Sequence, residues 1–300
     1  MFKRISLFLL MNIAVIATIS IVMNLLGVKP YLTANGLNYE ALLIFCGIWG
    51  MVGSFISLAL SKFMAKNMMG VKIQEANGQY SALVNTVHRL AKAANLPKMP
   101  EVGIYESPEV NAFATGPSKS NSLVAVSTGL LHQMNDEEVE GVLAHEIAHV
   151  ANGDMVTMAL IQGVINAFVM FFARVAAFAI QNAMRSDNDD RPVGHDWSYM
   201  LTTFVFEILF GFIGMFVIAF FSRYREYRAD SGGARLAGRN KMIGALRRLQ
   251  MQYENGVFEK SDEKMNAMKI SSKGGFMALL STHPKLEDRI KALELNSHLA

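Results

Sequence analysis

The sequence predicts a mainly α-helical membrane protein: four transmembrane helices plus a cytoplasmic α+β domain with a small sheet. Three observations predict it. Apolar residues make up 52% of the 300-residue chain and charged residues 18%, a balance more apolar than that of an ordinary soluble domain. Four apolar stretches are present, each near the length of about 20 residues that crosses a bilayer. Two polar segments carry helix and strand signals of their own.

The apolar stretches cover residues 5–26, 37–60, the run that follows Asp154 to about residue 180, and 199–221. Lys3 and Arg4 ahead of the first could open a signal peptide. The run is long for one, has no evident small-residue cleavage site, and is followed almost at once by a second span. Basic residues then set the orientation. Lys3 and Arg4 precede the first span, Lys62, Lys66 and Lys72 follow the second, and Arg223, Arg225 and Arg228 follow the fourth. The link between the first two spans carries only Lys29. The link between the last two sets Arg185 and Arg191 against Asp187, Asp189, Asp190 and Asp196. Both termini and both polar segments are therefore expected in the cytoplasm. The expected division is 1–60 (two spans), 61–154 (cytoplasmic), 155–221 (two spans and a short outer loop) and 222–300 (cytoplasmic), with the two polar segments folding together.

Other classes are excluded early. The net charge of +3, with no basic run interleaved with aromatics, gives no case for nucleic-acid binding. The one cysteine, Cys46, can form neither an internal disulfide nor a cysteine-based zinc cluster. It sits in an apolar run, as a small residue facing lipid or another helix.

In the first polar segment, residues 78–94 have helical spacing and stop at Asn95, Leu96 and Pro97. Short β-type runs follow at 102–105, 111–115 and 122–127, separated by Pro108, by Gly116 with Pro117, and by Gly129. Asn135 then caps a helix, with Glu138 three residues on and acids in the first turn. That helix is expected to run to about residue 151 and stop at Asn152 and Gly153. The second polar segment reads as mostly helical, with a loop around 269–275.

The capped helix carries His145-Glu146-Ile147-Ala148-His149. Positions i and i+4 share a helix face, so both imidazoles can reach one zinc ion at about 2.0–2.1 Å. Glu146 is turned about 100° from His145 and points beside the metal, where it suits a general base acting on water. Two surface histidines would give the same bare string, but the flanking Val142, Leu143, Ile147 and Val150 argue against a solvated face. A catalytic zinc needs a third protein ligand. Glu226 and Asp230 lie four apart after the fourth span and share a face if helical. Glu226 can bind the metal while Asp230 accepts a hydrogen bond from a ligand imidazole. Spacing alone equally allows both to pair with Arg223, Arg225 and Arg228. His88, His132, His195 and His298 lack partners at ligand spacing and are set aside.

These motifs, in this order, resemble the HtpX-type membrane proteases, relatives of the CAAX prenyl endoproteases among the thermolysin-like gluzincins. The likeness runs through the paired N-terminal spans, Asn111-Ala-Phe-Ala-Thr-Gly116, His145-Glu-Ile-Ala-His149 with Asn152-Gly-Asp154, two more spans, Glu226 with Asp230, and Thr282-His-Pro284 with Arg289. It implies a zincin-type metalloprotease domain with one Zn2+ per chain. Glu226 is then the third ligand and Asp230 the residue that orients His145. It implies that Asn111 contacts substrate along an edge strand and that His283 donates a hydrogen bond to the oxyanion. The read-alone alternatives are an ordinary strand-edge asparagine and a helix-entry histidine fixed by Pro284.

The resemblance also implies endoproteolysis of misfolded or damaged membrane proteins on the cytoplasmic side, as a stress response. Its partners are then polypeptide substrates and the lipid bilayer of the cell inner membrane. The enzymatic alternative is a prenyl-peptide endoprotease, a class that usually has more spans enclosing a chamber. The non-enzymatic alternative is a membrane scaffold with a structural metal, which would need a fourth protein ligand. His149 and Glu226 each lie a few residues from a span, so the zinc is expected near the cytoplasmic membrane surface. Inside the spans, Arg174 and Glu207 fall at similar depth if helices three and four are antiparallel. They are expected to pair, the alternative being that each snorkels separately to the interface.

Overall fold

The computed structural model describes residues 37–184, 197–254 and 281–295, together with Ile21 and Leu25. The chain divides into two compact units, Met1–Ser57 with Met158–Ile218, and Leu58–Thr157 with Ala219–Ala300.

In the first unit the described chain is helical. Helices α1 (Tyr39–Met68), α5 (Asp154–Ala183) and α6 (Trp197–Ala237) are each long and apolar enough to cross a membrane. They are the three such helices among the described residues; the expected span at 5–26 lies outside those residues except for Ile21 and Leu25. Helix α6 turns Phe204, Ile208 and Phe212 outward, an apolar surface that suits lipid. Helices α1 and α5 meet closely because Gly50 lies against the backbone of Ala167, where a Cβ would collide. Around this contact Tyr39, Leu43, Cys46, Ala167, Phe171 and Phe178 form a buried cluster. Cys46 thus faces neighbouring helices.

Arg174 of α5 and Glu207 of α6 do pair, with Nη1 donating to Oε1 at 2.9 Å. The guanidinium also lies 5.8 Å from the Phe45 ring centroid. Reversing one charge, as in Glu207→Arg, sets two cations side by side. The expected cost is about 2 kcal/mol, that of losing a charge-assisted hydrogen bond in a partly buried pair, read as a lower melting temperature in detergent. Arg174→Glu combined with Glu207→Arg should recover most of it. A double variant as unstable as the single one would mean that the two charges act separately.

The second unit holds a four-stranded sheet of β1 (Lys72–Ile73), β2 (Glu101–Tyr105), β3 (Ala112–Ser118) and β4 (Asn121–Ser127) in the order β1-β2-β4-β3. Strands β2 and β4 are parallel, and the other pairs are antiparallel. Gly116 and Pro117 do not end β3 as the turn signal predicted. They lie within it, at an irregularity between Thr115 and Ser118. Gly116 has φ 135° and packs on the Asn121 backbone with no room for a Cβ, so glycine permits the strand to bend and continue.

Helix α2 (Ser81–Ala93) buries Leu83, Val84, Val87, Leu90 and Ala91. It begins three residues later than its spacing suggested, and Asn95 follows its end at φ 53°. Short helix α3 (Thr128–Gln133) leads into α4 (Asp136–Asn152). The capping box on α4 is formed, with Asn135 and Glu138 each bonding the other's backbone N–H. Gly153 ends the helix in the left-handed conformation, at φ 77°. Leu143, Ala144, Ile147 and Val150 of α4 join α2 and the sheet in one core. Burial of each large apolar side chain contributes about 1.5–3 kcal/mol. On the other side Gly141 lets α4 approach α7 (Arg239–Glu254) closely, and Glu140 pairs with Lys241 of α7 and Arg89 of α2 at 2.8 Å each. Helix α8 (Leu286–Leu295) packs through Ile290 and Leu293 on α7. The helix with the histidine pair is therefore packed by α2, the sheet and α7.

Candidate metal centre

His145 and His149 sit one turn apart on α4, with ring centroids 4.5 Å apart. Their Nε2 atoms are 3.1 Å apart. Glu226 comes to them from α6, with Oε2 3.5 Å from His145 Nε2 and Oε1 3.4 Å from His149 Nε2. All three residues are buried, and their ligand atoms lie within 4.8 Å of one another. Two ligands about 2.0–2.1 Å from a tetrahedral zinc stand about 3.3 Å apart. The observed spacings match that edge.

The outer face of each imidazole supports the same reading. His145 Nδ1 donates to Asp230 Oδ1 at 3.0 Å, and His149 Nδ1 donates to Asp154 Oδ2 at 2.6 Å. Each Nδ1 proton is thus committed to a carboxylate, which leaves the Nε2 lone pairs facing a common point. Two lone pairs at that distance repel unless a cation or a proton lies between them. Asp230 is itself gripped by Arg289 of α8, whose Nε and Nη2 donate at 2.7 and 2.6 Å. Arg289 Nη1 also lies 3.4 Å from Glu226 Oε2.

The electrostatics favour positive charge at this point. Burial alone would lower the His145 pKa, but Asp230 and Glu226 override it and raise it to about 9. His149 is raised against its own burial by Asp154 and Glu226. Burial would raise the Glu226 carboxyl, yet His145, His149 and His283 hold it far below the usual carboxylate range. Asp230 is likewise held low by Arg289 and His145 against its burial. A divalent cation satisfies the same demand with the imidazoles neutral.

The remaining sequence candidates lie around this cluster. Glu146 is half-buried on the adjoining face of α4, and its charge acts on His149 and Arg289. His283 places Nδ1 3.1 Å from Glu226 Oε2 with its side chain 63% exposed, so it stands at the open rim. Asn111 is exposed at the entry to β3. Its backbone is turned toward β4, with N–H to Ser127 Oγ at 3.1 Å and C=O to Ser127 N–H at 2.9 Å. The ladder register then turns the main-chain groups of Ala112 and Ala114 away from β4, to the free edge of the sheet. Strand β3 packs beside α4. Of the histidines set aside, His88 bonds the Pro100 carbonyl at 3.2 Å and His132 lies on α3; His195 and His298 fall outside the described residues.

Two residues of the cluster had no role assigned from the chain. Asp154 is the first residue of α5. Its signal was an acid just after the Gly153 helix stop, at the mouth of an apolar span. Arg289 lies in a helix rich in both charges, and only its burial, at 6% exposure, sets it apart. The alternative in which the arginines after the fourth span absorb both acids holds only in part. Arg225 Nη2 touches Glu226 Oε1 at 3.0 Å, while the partners of Asp230 are His145 and Arg289.

Comparison with known proteins gives the chain its relatives. The model of Peptidase family M48 matches residues 79–296. "Protease HtpX homolog" of Bacillus licheniformis is 52% identical over 302 residues, covering 97% of this chain and 99% of that protein. "Protease HtpX" of Shewanella oneidensis is 50% identical over 294 residues, with 97% and 99% coverage. Among solved structures, S. mikatae Ste24p has a similar fold, with a TM-score of 0.60 at 18% identity over 98% of this chain and 67% of that one. A family model matched over most of the sequence, and relatives about half identical from end to end, place the chain: it belongs to peptidase family M48.

Proposed function

We propose that this membrane metalloprotease is an endopeptidase with one zinc ion per chain, held by His145, His149 and Glu226. The observation that carries the reading is the convergence of three buried ligand atoms within 4.8 Å, with both Nδ1 atoms already engaged by Asp230 and Asp154. When bound, zinc supplies a Lewis acid that polarises the scissile carbonyl and lowers the pKa of water to about 7.

The chain's own residues divide the rest of the work. Glu146 takes the proton of the attacking water and passes it to the leaving amine. Asp230 and Asp154 hold the two imidazoles in the ligating tautomer, and Arg289 keeps Asp230 charged. His283 donates to the oxyanion from the rim. Because its Nδ1 faces Glu226, the donor to substrate is the outward Nε2. The substrate strand lies on the free edge of β3, taking main-chain bonds from Ala112 and Ala114 and a side-chain contact from Asn111.

The two polar segments, 61–154 and 222–300, form one catalytic domain, a reading supported by the grouping of Leu58–Thr157 with Ala219–Ala300. Lys62 and Lys66 near the end of α1, and Arg223, Arg225 and Arg228 beyond the apolar part of α6, support a cytoplasmic active site. The substrates are polypeptides, chiefly misfolded or damaged membrane proteins. A purely structural metal would need a fourth protein ligand. Among the described residues the cluster of metal-binding groups is these three, the protein-ligand number of a catalytic zinc site.

Casein digestion by purified protein in detergent should stop when a chelator removes the metal and return on adding zinc. Cleavage that continues in metal-free protein, with metal content checked by atomic spectroscopy, would exclude the proposed chemistry.

A further inference from the structure

We propose that Arg223 is a positioning residue for His283, acting through the backbone of the segment that carries it. The inference rests on the proposed role of His283 at the oxyanion. Arg223 lies on α6 three residues before Glu226, so the two side chains leave neighbouring positions of one helix. Its Nη1 donates to the Ser281 carbonyl at 2.9 Å. Ser281 Oγ in turn donates to the His283 carbonyl at 2.7 Å, which closes a tight local turn. His283 then places Nδ1 3.1 Å from Glu226 Oε2.

The circuit runs from α6 through Arg223, Ser281 and His283 back to α6 at Glu226. It has a physical purpose. Residues 281–285 have no regular secondary structure and lead directly into α8. His283 is mostly exposed, so packing does not fix its ring. Among the described residues, the Ser281 hydroxyl bonds the His283 carbonyl and Arg223, from the helix that carries Glu226, bonds the Ser281 carbonyl. The rim histidine and Glu226 are therefore held in register by the same helix. Oxyanion donors work only when set in place beforehand, and a misplacement of about 1 Å can cost about 100-fold in rate. In this arrangement Arg223 acts through His283.

The test is a double-mutant cycle on cleavage of a fluorescence-quenched peptide by the full-length, zinc-loaded protein. His283→Ala is expected to lower kcat about 100-fold. Arg223→Gln is expected to lower kcat about 10-fold, with KM, zinc content and melting temperature little changed. Arg223→Lys, which keeps a cationic donor, should recover part of the loss. In the His283→Ala background, Arg223→Gln should lower kcat no further. Losses that multiply in the double variant, or an Arg223→Gln enzyme with unchanged kcat, would overturn the proposal while leaving the role of His283 intact. A His283→Ala enzyme of full activity would overturn both together.

Discussion

Glu146→Gln is expected to abolish proteolysis and leave the metal in place. Glutamine has nearly the same shape, so α4 should keep its packing through Leu143, Ile147 and Val150. None of the groups that converge on the metal position, or the carboxylates behind them, is altered. The amide cannot accept a proton from water at neutral pH, and general-base catalysis by a positioned side chain contributes about 10²–10⁴-fold. The expected loss in kcat is therefore about 10³-fold, with zinc still at one per chain. Metal analysis and casein digestion on the same preparation give the result. A variant that holds zinc and still cleaves within a few-fold of the parent would remove Glu146 from the mechanism. One that loses zinc would move it into the metal-binding group.

Glu226→Ala should produce the opposite pattern, with loss of the metal itself. Three converging ligand atoms become two, and the two Nε2 atoms 3.1 Å apart lose the carboxylate that completes their site. Asp154→Asn is the informative companion. It keeps the shape and an acceptor for His149 Nδ1, but removes the charge 2.6 Å from that ring. Groups standing behind a ligand typically contribute about 10–100-fold in metal affinity. Chelator competition should therefore rank the parent above Asp154→Asn, and Asp154→Asn above Glu226→Ala. Zinc raises the melting temperature of a protein that binds it only when folded, so the same order should appear in zinc-dependent thermal shifts. A Glu226→Ala protein with parental zinc affinity would show that the third ligand lies elsewhere.

The parts of this architecture that were legible in the chain are those whose signals are local. The capping box at Asn135, the stop at Gly153 and the strands β2 and β4 follow from a few neighbouring residues and appear in place. The histidine pair was visible because its helix puts i and i+4 on one face. Glu226 was not fixed by spacing. It lies 77 residues after His149 (226 − 149), and its alternative arginine partners stood nearer in the chain. Only the packing of α6 beside α4, or a family resemblance, could decide between them. Asp154 and Arg289 escaped for the same reason. Each works through a contact whose geometry no local pattern encodes, one across a left-handed helix stop and the other over 59 positions to Asp230. The bend of β3 at Gly116 was misread because Gly-Pro usually breaks a strand. Here the close pass of the Asn121 backbone made glycine a requirement of the pairing.

The separation of the site into two parts along the chain has a further consequence, in the order of synthesis. The ribosome finishes the histidine helix first, while Glu226 still lies beyond α5 and the apolar part of α6. His283 and Arg289 emerge later still. A half-made chain therefore carries the recognisable pentapeptide but no complete ligand set and no support for Asp230. If the proposed ligand set is the working one, hydrolytic competence arrives only after both intervening apolar helices have been translated.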